Sequence, residues 1–494
     1  MTPKGHAVVR PSRQVSERVA GRRLAVVVAV VAVLVGAALV DRAVGQPPPP
    51  APSALSASTI PVTSASASSW YCAGGTTGAG AQANTTVYVT NTGNGTVPGA
   101  VSTTVNTGKA SVSFHQAISV PARSTIAVNP GIFAPMGYGA STFTFAGGGI
   151  GVSQAAAGPD GWTTAPCASS SSANWFFASG ATTAGNQLVL TLYNPTSTEA
   201  VANVSFDTDA GVLQPQLYQG LSIPAGQLVV ENVGDYVQGR SAIATVVSAQ
   251  SGQVVANQLQ LVSSSGTSGL SLTLGAPAVD PHWYFAQTTN PSAAGSSVSF
   301  MLSNPGSTAE KAVIAVGLTQ GAVAPVSVDL PAKSIVPFAA STASRIPHQV
   351  PYSVTISSTG GSGLVVAREV LAANGAPVPT FGTMLGTPQL NQHWLVPAPG
   401  VGSAPGVQGA AVASLAVSNP GPVSAQVTVT PLGGTPAQAK VLLVKPNSLL
   451  VLAQAPVGGL ATLDVRSNVP VAVEEDSVPS GATGVVSSTG LPFG

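Results

Sequence analysis

One pattern, written four times, limits this chain more than any other feature. An aromatic cluster recurs as Trp70-Tyr71-Cys72-Ala73, Trp175-Phe176-Phe177-Ala178, Trp283-Tyr284-Phe285-Ala286 and, more loosely, Trp394-Leu395-Val396, with Trp spacings of 105, 108 and 111 residues. An alternating segment then ends at Asn91, Asn194, Asn304 or Asn419, 19 to 25 residues after its Trp. Another 27 to 30 residues on, an apolar segment meets a turn at Pro121, Pro224, Pro331 or Pro446. Each copy closes on a polar pair: Ser153-Gln154, Asn257-Gln258, Arg368-Glu369 or Glu474-Glu475. Four markers in constant order define units at 68–167, 173–278, 281–389 and 392–494.

Within each unit, apolar and polar residues alternate over five to eight positions between Gly, Pro, Asn and Ser, with no sustained helical period. Val and Thr are plentiful and suit a pleated surface, whereas exposed helices would need more Glu and Lys. The expected fold is all-β: four tandem immunoglobulin-like β-sandwich domains, arranged as a rod. A propeller blade of about 40–50 residues is half this period.

Ahead of the repeats, residues 1–23 form a basic tail of net charge +5. The uncharged run LAVVVAVVAVLVGAALV from Leu24 to Val40 follows. As a helix it is about 26 Å long, slightly short of a ~30 Å hydrocarbon core, and Arg22 and Arg23 can snorkel to close the gap. Residues 24–41 therefore read as a transmembrane helix or signal anchor with the basic end in the cytoplasm and the bulk outside. Ala43-Val44-Gly45 resembles a cleavage site, so a secreted product is the alternative. Residues 42–67, rich in Pro and then in Ser and Ala, read as a disordered stalk.

Only 7% of the residues are charged, and beyond residue 23 the chain sums to −4. No dense basic face exists to displace counterions from a phosphate backbone, which excludes nucleic acid as the partner. Searches for a G-x-S-x-G elbow, a Walker loop, G-x-G-x-x-G, H-E-x-x-H and C-x-x-C find nothing. No catalytic, cofactor-binding or metal-ligating residues are assigned.

Some residues still merit a role. Cys72 and Cys167 bracket the first unit, and in an oxidising compartment they are expected to form a disulfide. Trp70, Trp175, Trp283 and Trp394 are either core or junction residues or, as the alternative, a stacking platform for sugars or peptides. His282 and His393 precede two of these Trp residues and read as strand-end caps. Asp207-Thr208-Asp209-Ala210-Gly211 resembles part of a calcium loop without its later ligands, so a turn is the better reading. Glu474, Glu475 and Asp476 read as a solvated edge that discourages aggregation.

The basic tail, apolar segment, Pro/Ser stalk and repeated W-[YF]-[CF]-A, strand-N-P and P-A-[GKR]-strand units resemble an uncharacterised family of secreted or membrane-anchored actinobacterial proteins. The fourth unit departs from the pattern at Leu395 and Asn447. The resemblance implies a cell-envelope location and carries no site residues. The expected function is a non-enzymatic structural or interaction protein of the envelope. Its partners are the membrane, through the N-terminal helix, and cell-wall glycan or another exported protein. A glycan-binding module of the wall and an unrecognised envelope hydrolase are the alternatives.

Overall fold

The computed structural model describes residues 57–78, 81–131, 134–264, 266–320, 323–372, 381–397, 408–454, 461–480 and 486–494. The basic tail, the expected transmembrane helix and the stalk up to residue 56 lie outside these. Among the described residues no helix is long and apolar enough to cross a membrane. The described residues form an all-β fold, and among them the helical elements are single turns of 3-10 helix between strands.

Repeat 1 comprises β1 (Ser68–Thr77), β2 (Asn84–Asn91), β3 (Val97–Asn106), β4 (Ser111–Val120), β5 (Ser124–Val128), β6 (Gly137–Phe145), β7 (Ile150–Gly158) and β8 (Gly161–Pro166). Its strands pair in two layers, β4-β3-β6-β1 and β5-β2-β7-β8, which touch at Thr76 and Asn84. Trp70, Val101 and Phe143 from one layer meet Val87, Val89, Ile150 and Val152 from the other in a buried core. The β1 markers sit there because alternation aims every second side chain inward.

The same pairing recurs. Repeat 2 comprises β9 (Asn174–Phe177), β10 (Asn186–Tyr193), β11 (Ala200–Thr208), β12 (Gly211–Leu213), β13 (Leu221–Ile223), β14 (Leu228–Asn232), β15 (Ile243–Ser251), β16 (Val255–Ser264) and β17 (Thr267–Leu274). Its layers are β13-β11-β15-β9, with β12 also on β11, and β14-β10-β16-β17. Repeat 3 comprises β18 (His282–Thr289), β19 (Ser297–Asn304), β20 (Glu310–Leu318), β21 (Val326–Leu330), β22 (Ser334–Ala339), β23 (Pro351–Ser358), β24 (Val365–Leu371) and β25 (Phe381–Leu385). It pairs as β21-β20-β23-β18 and β22-β19-β24-β25. Repeat 4 comprises β26 (Asn391–Val396), β27 (Gln408–Asn419), β28 (Ala425–Pro431), β29 (Lys440–Val444), β30 (Ser448–Gln454), β31 (Leu463–Ser480), β32 (Val486–Thr489) and β33 (Leu491–Pro492). Here the long β31 serves both layers, pairing with β28 and β26 through its first half and with β27 and β32 through its second.

Residues 54–494 form one compact unit, so the expected rod is corrected. The last strands of the repeats touch in cyclic order: β8 with β17, β17 with β25, β25 with β32, and β32 with β8. Ser271 Oγ donates to the Thr383 carbonyl at 2.9 Å, and β17 meets β25 in parallel at Gly269 and Phe381. Repeat 4 returns to repeat 1, where the Thr125 and Thr462 hydroxyls lie 2.9 Å apart. The cause is visible in the strands: Ala156, Val189, Leu259, Leu261 and Ala416 point away from their own repeat's core and are buried against a neighbour. Such strands, covered on both faces, need company that a rod cannot give.

The stalk reading is corrected from Ala57 onward. Ile60 is fully buried, its N–H donates to Pro492 O at 2.8 Å, and its carbonyl accepts from Gly494 N at 3.0 Å. It packs with Leu395 and Leu491 against the core of repeat 1. One isoleucine in a Ser/Ala-rich segment is enough to wedge the seam between the first and last copies.

Candidate functional site

The Trp markers fix the first layer of contacts. Trp70, Trp175, Trp283 and Trp394 are all at most 1% exposed. Trp175 Nε1 donates to Val254 O at 2.8 Å, Trp283 Nε1 to Leu364 O at 2.7 Å, and Trp394 Nε1 to Val471 O at 3.0 Å. Trp70 Nε1 alone of the four lacks such a partner. A ring sealed on both faces cannot stack on a sugar, so the ligand-platform reading is corrected to a core role.

The Asn markers do more than end strands. Each is fully buried, and its side-chain amide clamps the segment around the Pro-type turn. Asn91 Nδ2 donates to Gly95 O, Val120 O and Pro121 O at 2.7–3.1 Å. Asn194 Nδ2 reaches Thr198 O and Ile223 O. Asn304 Nδ2 reaches Thr308 O, Leu330 O and Pro331 O, and Asn419 Nδ2 reaches Val423 O, Val444 O and Lys445 O. Lys445, not Pro446, therefore occupies the Pro place in the fourth copy. Two positions on comes a left-handed residue, Arg123, Gly226, Lys333 or Asn447, with φ between 48° and 68°. Asn447, which looked like a departure, is well suited to that backbone.

The polar pairs lead to the most polar junction. Register places Gln154 opposite Val87, Gln258 opposite Leu190, Arg368 opposite Phe300 and Glu475 opposite Leu415, each four residues before the marker Asn. In repeat 3 the equivalent residue is thus the first of its pair. Three of these side chains donate to backbone in or just past the Trp strand: Gln154 Nε2 to Ala73 O at 3.2 Å, Gln258 Nε2 to Ser179 O, and Arg368 Nη1 to Gln287 O. β18 carries a bulge between Phe285 and Thr288, which frees the N–H groups of Ala286 and Gln287. Both donate to Glu474 Oε2 from repeat 4, at 3.1 and 3.2 Å.

Arg368 Nη2 meets Glu474 Oε1 at 2.5 Å, and Asp476 Oδ1 lies 3.9 Å away. Both partners are at most 3% exposed, and the guanidinium lies 5.8 Å from the Phe285 ring centre. Burial pushes the Glu474 carboxyl up to about 7 against the pull of Arg368. The solvated-edge reading of Glu474, Glu475 and Asp476 is therefore corrected: Glu474 and Asp476 share one face of β31 and point into a repeat junction. The signal existed in the sequence, since Arg368 and Glu474 stand one place apart in the same marker of consecutive copies.

Four strand ends line a half-open cavity of about 80 Å³, with Thr164, Leu274, Trp283, Thr387 and Ser488 among the lining residues. It has room for a few waters, well below the ~300–1,000 Å³ of a typical ligand pocket.

Cys72 and Cys167 form a disulfide that closes a 95-residue span of repeat 1. Asp207 is buried in β11, and Asp209 Oδ2 accepts from Ser241 N at 3.0 Å, so this segment is a β-turn. His282 Nδ1 lies 3.0 Å from Ser357 Oγ, and His393 Nε2 lies 3.0 Å from Asp464 Oδ1. Among the described residues no group of three His, Cys, Asp or Glu side chains is placed to hold a metal ion.

A model described as a family of unknown function (DUF5719) matches residues 146–336, from the end of β6 into β22. That agrees with the resemblance to an uncharacterised family. No curated protein matches the chain.

Proposed function

We propose that this chain is an exported, non-enzymatic interaction protein of the cell envelope: four immunoglobulin-like sandwiches carried outside the membrane on the anchor at residues 24–41. The observation that carries the reading is where the apolar surface goes. The Trp cores and the repeat-to-repeat faces consume most of it, which leaves outer strands and turns rich in Ser, Thr, Asn and Gln, with a few exposed apolar side chains, to meet a partner. The small size of the cavity between the strand ends supports recognition by this outer surface rather than capture of a small molecule. The disulfide supports an oxidising compartment.

The test is labelling of intact cells with a membrane-impermeant amine reagent. Exposed Lys109, Lys333 and Lys445 should be modified before lysis. Modification only after lysis would place the bulk of the chain inside and end the proposal. Affinity capture from envelope extract, with the full chain as bait, then identifies the partner.

A further inference from the structure

The outermost strand of the Trp layer is built differently in repeat 4. In every repeat this strand ends at the carbonyl clamped by the marker Asn: Val120, Ile223, Leu330 or Val444. One and three residues earlier, the side chains point outward from the layer. Repeat 1 has Ser119 and Ala117 there, repeat 2 has Ser222 and Gly220, and repeat 3 has Ser327 and Asp329, the latter bridged to Lys311 at 2.7 Å. Small, polar or paired residues are the usual protection of a sheet edge. Repeat 4 instead places Leu443 and Val441, 65% and 60% exposed, on β29. Among the described residues β29 pairs only with β28, so its other edge is open.

We infer that β29 is a self-association edge, and that its occupant is β29 of a second copy of this chain. The strand Lys440-Val441-Leu442-Leu443-Val444 is self-complementary in antiparallel register about Leu442. That register sets Val441 opposite Leu443 of the second copy, twice by symmetry, and joins the four exposed apolar side chains on one face. Lys440 falls opposite Val444 rather than another lysine, so no like charges meet. β4 is a longer edge, but its outward Ser111, Ser113, His115, Ala117 and Ser119 offer little apolar surface to cover.

Sedimentation velocity of the full chain in detergent tests this. The wild-type chain should show a concentration-dependent dimer. Leu443→Lys should raise its dissociation constant at least tenfold with an unchanged melting temperature at concentrations where both proteins are monomeric, because the side chain is exposed in the single chain. Ser327→Lys, at the matching place in repeat 3, should leave the dimer intact. A wild-type monomer at all concentrations overturns the inference. So does a dimer that survives Leu443→Lys, which would assign association to another region such as the apolar run at 24–40, or a dimer lost equally in both variants.

Discussion

Arg368 and Glu474 stand 106 residues apart in sequence, yet they form a buried ion pair across the junction of repeats 3 and 4. The corresponding places in repeats 1 and 2 hold neutral amides, Gln154 and Asn257 among them. The ion pair therefore distinguishes the junction of repeats 3 and 4, a registry role for which buried polar groups are suited.

Removal of one partner leaves the other charge buried without compensation. Arg368→Met should lower the unfolding free energy by about 3–5 kcal/mol, read from urea midpoints. Arg368→Met combined with Glu474→Met should recover most of the loss. A double variant as unstable as the single one would show that the pair itself is not the source.

All five Trp residues are buried, Trp162 included at 4% exposure. Iodide should therefore quench little fluorescence in the native protein and much in urea. Trp175→Ala should cost about 3–5 kcal/mol, since it empties a core and removes one of the two donors to the Val254 carbonyl, leaving Ser172 N. Strong native quenching would return at least one Trp to the surface.

The marker Asn is a donor facing carbonyls. Asn304→Ala should cost about 1–3 kcal/mol, the price of unpaired buried groups. Asn304→Asp should cost more, because an acceptor then confronts Thr308 O, Leu330 O and Pro331 O. Equal losses would argue that shape alone matters at this position.

Much of this is legible in the sequence itself. The Trp, Asn and turn markers recur because each performs one structural task per copy, and spacing alone exposes such a repeat. Closure was not legible, because it depends on which face of a strand is covered twice. Every residue of VVANQLQLV and the first four of VVAREV are buried, and of their polar side chains Gln258 and Gln260 bond within their own repeat while Arg368 reaches Glu474 of the next. From sequence alone, Glu474 beside Glu475 resembles a wet edge; only the bulge at Ala286 and Gln287 gives the carboxylate its donors. Ile60 was hidden for a similar reason, since a single apolar residue carries no period.

Burial also sets a pH dependence. It pushes Glu369 up to about 7, and Asp207 up to about 6 despite the attraction of Lys333. The native state then holds more protons than the unfolded chain between about pH 4 and 7, so stability falls as pH rises through that window. Hydrogen bonds from Ser358 and Ser362 hold Glu310 low, which costs stability only at more acidic pH. The melting temperature should be higher at pH 5 than at pH 8. A melting temperature that climbs steadily from 5 to 8 would contradict these assignments.

Closure of the four repeats rests most directly on the contact between Thr125 of repeat 1 and Thr462 of repeat 4. With both replaced by cysteine in the full chain, mild oxidation should give a quantitative intramolecular disulfide, seen by mass spectrometry without reduction. Two free thiols at these positions in folded protein would mean that the first and last repeats do not meet.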